Sequence, residues 1–296
     1  MAKINKTNLF IILTFIVSWG IEALFYFSGY KINDPLYQVM GIGVMWVPGL
    51  VAIIIQLIYK EPLISSLKLS LKPNIWFIWA IATPFALVFI TIILSICFPG
   101  VFISWDMKGF YDRISLISSP EMIQKIKDAN QLLSVHPFII GIGGAIVGGA
   151  TINAIVALGE EIGWRGLLMN ELKHKGYFNA SMQTGLIWGV WHAPLILMGH
   201  NYPEHPIAGV GMMVLFCVFI SPIFSYIYLR ANSIWAPAML HGVLNAAAPL
   251  SFMILNRSDD LLLGLTGLAG LGTILLGMAF FMDYDKQWSK NKVFYE

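Results

Sequence analysis

Eight long apolar runs limit what this chain can fold into. A run of about 20 apolar residues is long enough to cross a lipid bilayer as a helix. The runs cover residues 9–27, 37–58, 75–98, 137–158, 180–198, 207–229, 234–255 and 261–282. Of the 296 residues, 57% are hydrophobic and only 11% are charged, which is more apolar material than a soluble core buries. The sequence therefore predicts an all-α fold, a polytopic membrane helix bundle with about eight transmembrane helices.

Lysine and arginine residues indicate how this bundle is oriented. With eight crossings and both termini in the cytoplasm, twelve of the 18 basic residues fall inside and six fall outside. Because cytoplasmic loops carry an excess of basic residues, this bias predicts a multi-pass protein with cytoplasmic termini. The formal charge is only +2 and no basic run is present, so nucleic acid is excluded as a partner. The predicted surroundings are the lipid bilayer.

Three charged residues lie close together where the fourth apolar run ends: Glu160, Glu161 and Arg165. A charge inside hydrocarbon costs roughly 2.5 to 3.5 kcal/mol on insertion scales, so it is usually paired or functional. If the helix continues, Glu161 and Arg165 share a face and suit an ion pair. Glu160 is turned about 100° away from that face. We expect Glu161 to be neutralised and Glu160 to be free to act; the alternative is a charge cluster at the cytoplasmic edge of the membrane.

Two later apolar runs contribute imidazole groups. His192 lies in the fifth run, where Pro194 frees a backbone carbonyl and favours a bend. In the seventh run, His241 and Asn245 are four residues apart, so both project from one face. A lone histidine on an apolar helix is more often a core group, but two hydrogen-bonding side chains aimed together indicate a site. The other histidines are expected at the solvated surface: His136, His174, His200 and His205.

These separate helices supply the groups needed to hydrolyse an amide. A carboxylate and an imidazole can take a proton from water, while imidazole and amide donors stabilise an oxyanion. We therefore predict four catalytic residues: Glu160, His192, His241 and Asn245. The carboxylate and the two imidazoles could instead bind Zn²⁺ whose water attacks, with Glu160, His192 and His241 as ligands. The residues alone leave both versions open.

The order of these motifs resembles that of a known family. The motifs are Glu160-Glu161-xxx-Arg165, then Trp188-xxx-His192, then His241-xxx-Asn245, on separate apolar segments. They are similar to those of the CPBP family of intramembrane proteases, which joins type II CAAX prenyl endopeptidases with bacteriocin-processing and self-immunity (Abi) proteins. The resemblance covers roughly residues 139–249. Trp188 stands where phenylalanine is common.

The resemblance implies a role for each motif. Glu160 and His192 would activate the water, and His241 and Asn245 would form the oxyanion hole, or the histidines would bind a metal. Glu161 and Arg165 would support the structure of the site. The implied division is residues 1–136 as N-terminal helices with a long outer loop, 137–256 as the catalytic core, and 257–296 as the last transmembrane helix and cytoplasmic tail.

The implied activity is hydrolysis of a peptide bond in a membrane-associated peptide or protein, in a bacterial cytoplasmic membrane. The alternative is a non-catalytic Abi-like scaffold or immunity protein that binds a membrane partner. A third possibility is a transporter with Glu22, Glu160 and Arg165 along its path, although paired broken helices in matching halves are missing. These alternatives share the same membrane topology and differ in the use of Glu160.

Three features outside these motifs carry structural expectations. Glu22 lies in the first apolar run and must face protein, water or a partner. The spacing of Gly144 and Gly148 permits two helices to approach closely, so we expect packing there. In the long loop, residues 121–133 have the pattern of an amphipathic helix that lies on the membrane surface.

Overall fold

The computed structural model describes residues 5–289 and 292–295, and its regular structure is helical. Eight principal helices occur in these residues: α1 (Lys6–Phe27), α2 (Pro35–Ile58), α3 (Ile75–Ser95), α4 (Pro137–Lys175), α5 (Tyr177–Trp191), α6 (Pro206–Ala231), α7 (Trp235–Ala247) and α8 (Leu268–Trp288). Shorter helices cover Leu63–Ser66, Lys108–Ser115, Pro120–Gln131, Ala193–Leu197, Leu250–Met253 and Val293–Tyr295. The predicted all-α membrane bundle is confirmed.

Six of the helices in the described residues are long and apolar enough to span a membrane, which makes this an integral membrane protein. The other two, α5 and α7, have 15 and 13 residues and are shorter than a typical span. Each is followed by a separate helical turn near a proline, Pro194 or Pro249, which cannot donate the next backbone hydrogen bond. The count of eight crossings stays a prediction.

Helix α4 is much longer than the apolar run that predicted it. It continues for 39 residues, from Pro137 to Lys175, and contains wider π-helical turns at Gly149–Asn153 and Ile162–Leu168. The predicted end at residue 158 is therefore wrong, and Glu160 lies inside a continuous helix instead of at a helix end. Hydropathy missed the continuation because it scores charged residues as polar. In the structure, Glu161 and Arg165 neutralise each other inside the helix.

The last helix also begins later than predicted. Helix α8 starts at Leu268 instead of residue 261. The residues before it form a turn in which the Asp259 carboxylate accepts hydrogen bonds from the backbone of Leu261 and Leu262, at 3.1 and 2.9 Å. Side-chain capping of this kind competes with helix formation.

Glycines allow α4 to approach its neighbours closely. A Cβ atom on Gly49 of α2 would lie 2.6 Å from the carbonyl oxygen of Gly159. On α7, a Cβ on Gly242 would collide with the backbone oxygen of Gly149. Both contacts therefore require glycine. They hold α2 against Gly159 and α7 against Gly149, in the part of α4 that leads to Glu160.

The predicted packing of Gly144 and Gly148 is wrong. A Cβ atom at either position would have no neighbouring atom within 4 Å. The next residue, Gly149, packs against Val243 instead, where the Cβ would lie 2.7 Å from the valine Cα. Gly149 also begins the first π-helical segment of α4, so the face in contact changes at this point.

Polar residues at the two ends of the bundle form separate clusters. At one end, Lys6 pairs with Glu61 and Glu171, at 2.8 and 2.9 Å. At the other end, His205 pairs with Asp260 at 2.6 Å. Residues that the orientation prediction placed on one side therefore contact each other. The predicted loop helix is present as Pro120–Gln131, while its position on a membrane surface stays a prediction.

Candidate active site

The buried charges of α4 form the ion pair that their spacing predicted. Arg165 Nη1 lies 3.1 Å from Glu161 Oε1, and neither side chain is exposed. Arg165 Nη2 donates to Ser221 Oγ at 3.1 Å. The guanidinium also lies over the rings of Trp188 and Phe224, 4.5 and 4.4 Å from their centroids. Polar partners at the edge and aromatic rings over the faces compensate a buried arginine.

The same carboxylate orients His241. The imidazole Nδ1 lies 2.8 Å from Glu161 Oε1. An ionised carboxylate only accepts hydrogen bonds, so we assign the proton to Nδ1. The other ring nitrogen, Nε2, is then the atom that His241 presents to a ligand. Glu161 therefore links α4 to α7 and fixes the imidazole, in addition to neutralising Arg165.

The expectation that Glu160 is free is wrong for one of its oxygens. Oε2 accepts hydrogen bonds from the indole nitrogens of Trp188, at 2.6 Å, and Trp164, at 3.4 Å. The side chain is only 2% exposed. Both indole donors use Oε2, which leaves Oε1 available to a water. The two tryptophans therefore fix the carboxylate without adding charge.

His192 is held where α5 ends. Its backbone N–H donates to Gly189 O at 3.2 Å, which tightens the last turn. Its imidazole Nδ1 lies 2.8 Å from the carbonyl oxygen of Trp188. Because a carbonyl only accepts, we assign the proton to Nδ1 and the lone pair to Nε2. A general base needs its lone pair free in this way.

Trp188 brings three of the predicted residues together. Its indole donates to Glu160, and its ring centroid lies 5.7 Å from that of His192 and 5.5 Å from that of His241. The two imidazoles are 8% and 5% exposed. Asn245 is exposed one turn after His241 on α7, and among the described contacts none joins it to this cluster. The catalytic roles of all four stay predictions.

Zinc binding by Glu160, His192 and His241 stays a prediction. Across residues 5–289 and 292–295, no group of three or more His, Cys, Asp or Glu side chains is placed to hold a metal ion. Glu160 Oε2 accepts two indole hydrogens and both imidazoles use Nδ1 for protein contacts, so Glu160 Oε1 and the two Nε2 atoms are the ones left for a ligand.

Sequence reasoning missed four residues of the site. The motif that contains Trp188 gives it no polar role, and Trp164 belongs to no motif, although it follows Glu160 by one helical turn and so shares its face. Ser221 and Phe224, the partners of Arg165 on α6, lie in an apolar run that carries no sequence signal for them. His200 was expected at the surface but is half-buried, with its ring centroid 6.1 Å from that of Tyr37.

Comparison with known families agrees with this geometry. Residues 142–247 match the family model described as Rce1-like, type II CAAX prenyl endopeptidase. Residues 142–247 are called the CPBP core below, after the family that their motifs resemble. All the residues predicted for the site lie within this CPBP core, whereas α1, α2, α3 and α8 lie outside it.

A curated protein also resembles part of the chain. The CAAX prenyl protease 2 of Methanococcus maripaludis is 39% identical over 49 residues, which make up 16% of this chain and 18% of the relative. The match thus spans less than a fifth of the relative's length. It is a second resemblance of part of this chain to a CAAX prenyl protease.

Proposed function

We propose that this protein is an intramembrane endopeptidase that hydrolyses a peptide bond in a membrane-associated peptide or protein. The observation that carries the proposal is the meeting of Glu160, His192 and His241 around Trp188. This cluster lies within the segment that resembles type II CAAX prenyl endopeptidases. A buried carboxylate and two oriented imidazoles are suited to activating water and stabilising developing charge.

In the first step, Glu160 acts as the base. A water donates one hydrogen bond to Glu160 Oε1 and the other to His192 Nε2. The water oxygen attacks the carbonyl carbon of the peptide while Glu160 takes the proton, and an oxyanion forms on the substrate. The indole contacts to Oε2 support this role because they fix the direction of Oε1.

In the second step, the tetrahedral intermediate collapses. A protonated His241, held at Nδ1 by Glu161, donates from Nε2 to the oxyanion. The amide of Asn245, on the same face of α7, is the second proposed donor. Glu160 returns its proton to the leaving nitrogen as the C–N bond breaks. The products are one new carboxylate and one new amine.

The direct mechanism needs a test against the zinc mechanism. Prolonged chelation followed by elemental analysis measures the metal content of the preparation, and cleavage is assayed on the same sample. We expect full cleavage without stoichiometric metal. Loss of cleavage that returns only when zinc is added would instead assign Glu160, His192 and His241 as ligands after a rearrangement of the site.

The proposed orientation places both termini in the cytoplasm. The two-to-one bias of basic residues supports it, as does the contact of Lys6 with Glu61 and Glu171 at one end of the bundle. Reporter fusions at the two termini test this placement. Labelling of either terminus from outside intact cells would contradict it.

Peptide hydrolysis is tested with purified protein in lipid vesicles. A mixture of membrane-inserting peptides is incubated in water enriched in heavy oxygen, and the products are analysed by mass spectrometry. We expect one heavy oxygen in each new carboxylate and far less product with the Glu160→Gln variant. Cells that lack the protein are compared with cells that carry the natural protein or the Glu160→Gln, His192→Gln double variant. If the double variant restores whatever growth or survival the natural protein restores, the scaffold function is favoured.

A further inference from the structure

Helix α1 carries a row of buried polar side chains outside the CPBP core. Thr14, Ser18 and Glu22 follow one another at four-residue spacing, so they share one face of the helix. They are 0%, 0% and 1% exposed. Within the described residues, none of their side-chain oxygens has a hydrogen-bond partner. We call these three residues the α1 polar row.

The helix itself does not satisfy the hydroxyl groups of this row. Buried serine and threonine in a helix often donate to the carbonyl four residues earlier. Buried Thr273 does so to Ala269 at 3.0 Å, as exposed Thr151 does to Val147 at 2.6 Å. Thr14 and Ser18 make no such bond. An unpaired buried polar group is costly, so the row requires a hydrogen-bonding ligand.

The α1 polar row shares its helix face with Phe10, a residue that contacts the candidate site. Phe10 lies one turn before Thr14, and its ring centroid is 5.6 Å from that of Trp164. Trp164 is one of the two indole donors to Glu160. Thr14 therefore lies one helical turn from a residue that contacts Trp164 of the candidate site.

Helix α1 also makes a hydrogen bond to the segment that contains His192. Trp19, next to Ser18, donates its indole hydrogen to the carbonyl oxygen of Trp191 at 3.1 Å. The ring of Trp191 lies 4.9 Å from that of His192. Its own Nε1 is buried without a partner among the described residues. Trp191 thus contacts both α1 and His192 and has a hydrogen-bond donor to offer.

The far end of the row leads towards a polar loop. The Tyr37 hydroxyl is another buried group without a partner in the described residues. Its ring packs on Phe25, which lies three residues after Glu22 on α1, with centroids 5.9 Å apart. It also lies against half-buried His200, in the loop that follows the fifth apolar run. Unpaired polar groups therefore extend from this loop to the vicinity of His192.

We propose that the α1 polar row binds a chain of water molecules that supplies the hydrolytic water to Glu160 and His192. The inference rests on the proposed function, because only hydrolysis consumes water at this site. Water both donates and accepts hydrogen bonds, so it satisfies hydroxyl, carboxyl and indole groups in sequence. A cation would find one carboxylate, that of Glu22, and would face the indole hydrogen of Trp191.

Hydroxyl-radical footprinting tests the water chain without using enzyme activity. Radicals formed from water by an X-ray pulse oxidise side chains that contact water. The probe is Ser18→Cys in a Cys97→Ser background, because Cys97 is an exposed natural thiol. The matched control is Val17→Cys, which is 42% exposed on the outer surface of an apolar helix and faces lipid.

We expect the thiol of Ser18→Cys to be oxidised roughly tenfold faster than that of Val17→Cys, because ordered waters persist at buried polar sites. Equal, slow oxidation of both thiols would overturn the proposal. Rapid oxidation of Ser18→Cys together with a wild-type protein that cleaves no peptide would support a hydrated row and contradict the endopeptidase function. The two failures are therefore distinguishable.

A kinetic comparison tests whether this water reaches the reaction. Thr14→Val keeps the shape of the side chain and removes the hydroxyl, whereas Thr14→Ser keeps the hydroxyl. We expect kcat to fall about tenfold for Thr14→Val with an unchanged KM, within the usual effect of losing one ordered water. Thr14→Ser should retain activity. Equal loss in both variants would assign Thr14 to packing and contradict its positioning role.

Discussion

Trp188 donates its indole hydrogen to Glu160 over 2.6 Å, while its ring lies between 5 and 6 Å from the imidazoles of both His192 and His241. One side chain of α5 therefore contacts every group that the proposal uses to activate water. Its hydrogen bond fixes one carboxylate oxygen, and its ring limits the positions of the imidazoles. The site depends on this tryptophan as well as on its charged residues.

Replacing Trp188 by phenylalanine separates the hydrogen bond from the ring. Trp188→Phe keeps an aromatic side chain and removes the donor to Glu160. A hydrogen bond to a charged group contributes about 1.5 to 3 kcal/mol, so we expect the cleavage rate to fall roughly 10- to 100-fold. The measurement is kcat/KM on a peptide in vesicles. Trp164→Phe is the matched control and should have the smaller effect, because that indole is 3.4 Å from the carboxylate.

Loss of either partner of the Glu161–Arg165 pair should destabilise the protein strongly. Glu161→Gln or Arg165→Met leaves one uncompensated charge in a place without solvent, at a cost of about 3 to 5 kcal/mol. The free energy of unfolding in mild detergent measures this effect. The double variant should lose less than the sum of the single losses. Additive losses would show that the two side chains do not act as a pair.

Two glycines within helices should respond differently to replacement by alanine. Gly49→Ala places a Cβ 2.6 Å from Gly159 O, so we expect a loss of about 1 to 3 kcal/mol from overpacking. Gly144→Ala meets nothing within 4 Å and should be neutral or stabilising by up to about 1 kcal/mol, the difference in helix propensity. Thermal unfolding of both variants checks the contrast. A larger loss for Gly144→Ala would contradict the packing described here.

Much of the fold follows from apolar runs, and the departures from them have identifiable causes. Hydropathy predicted the six long helices because each is an apolar segment of sufficient length. It ended α4 at residue 158, although Glu161 and Arg165 neutralise each other one turn later inside the same helix. It drew α5 as one helix through residue 198, whereas Pro194 correctly predicted the break at His192.

Part of the site could also be predicted from the apolar runs. Charged and imidazole groups stand out in apolar helices, so Glu160, His192 and His241 were easily chosen. Spacing within one helix also predicted the Glu161–Arg165 pair. The contact of Glu161 with His241 joins α4 and α7 across 80 residues, and no local pattern contains that distance. The motif gave Trp188 no polar role, because that role depends on one indole hydrogen.

The pair of His205 and Asp260 should make stability depend on pH. The hydrogen bond that His205 donates to the Asp260 carboxylate raises the pKa of the imidazole above its ordinary value. The contribution to stability is therefore complete below the unfolded pKa of about 6.5 and is lost as pH rises through the raised folded pKa. We expect the difference in Tm between the natural protein and His205→Gln to shrink from about pH 5.5 to about pH 8.5. A difference that grows with pH would contradict the assignment.

The central claim, that Glu160 activates water within the CPBP core, is tested most directly by the Glu160→Gln variant in lipid vesicles. The measurement is the single-turnover rate of peptide cleavage, with thermal unfolding on the same preparation to establish that the fold is intact. The account predicts a rate lower by about 10²- to 10⁴-fold, the usual contribution of a general base, in a protein that still unfolds cooperatively. A folded Glu160→Gln variant that cleaves at the natural rate would contradict it.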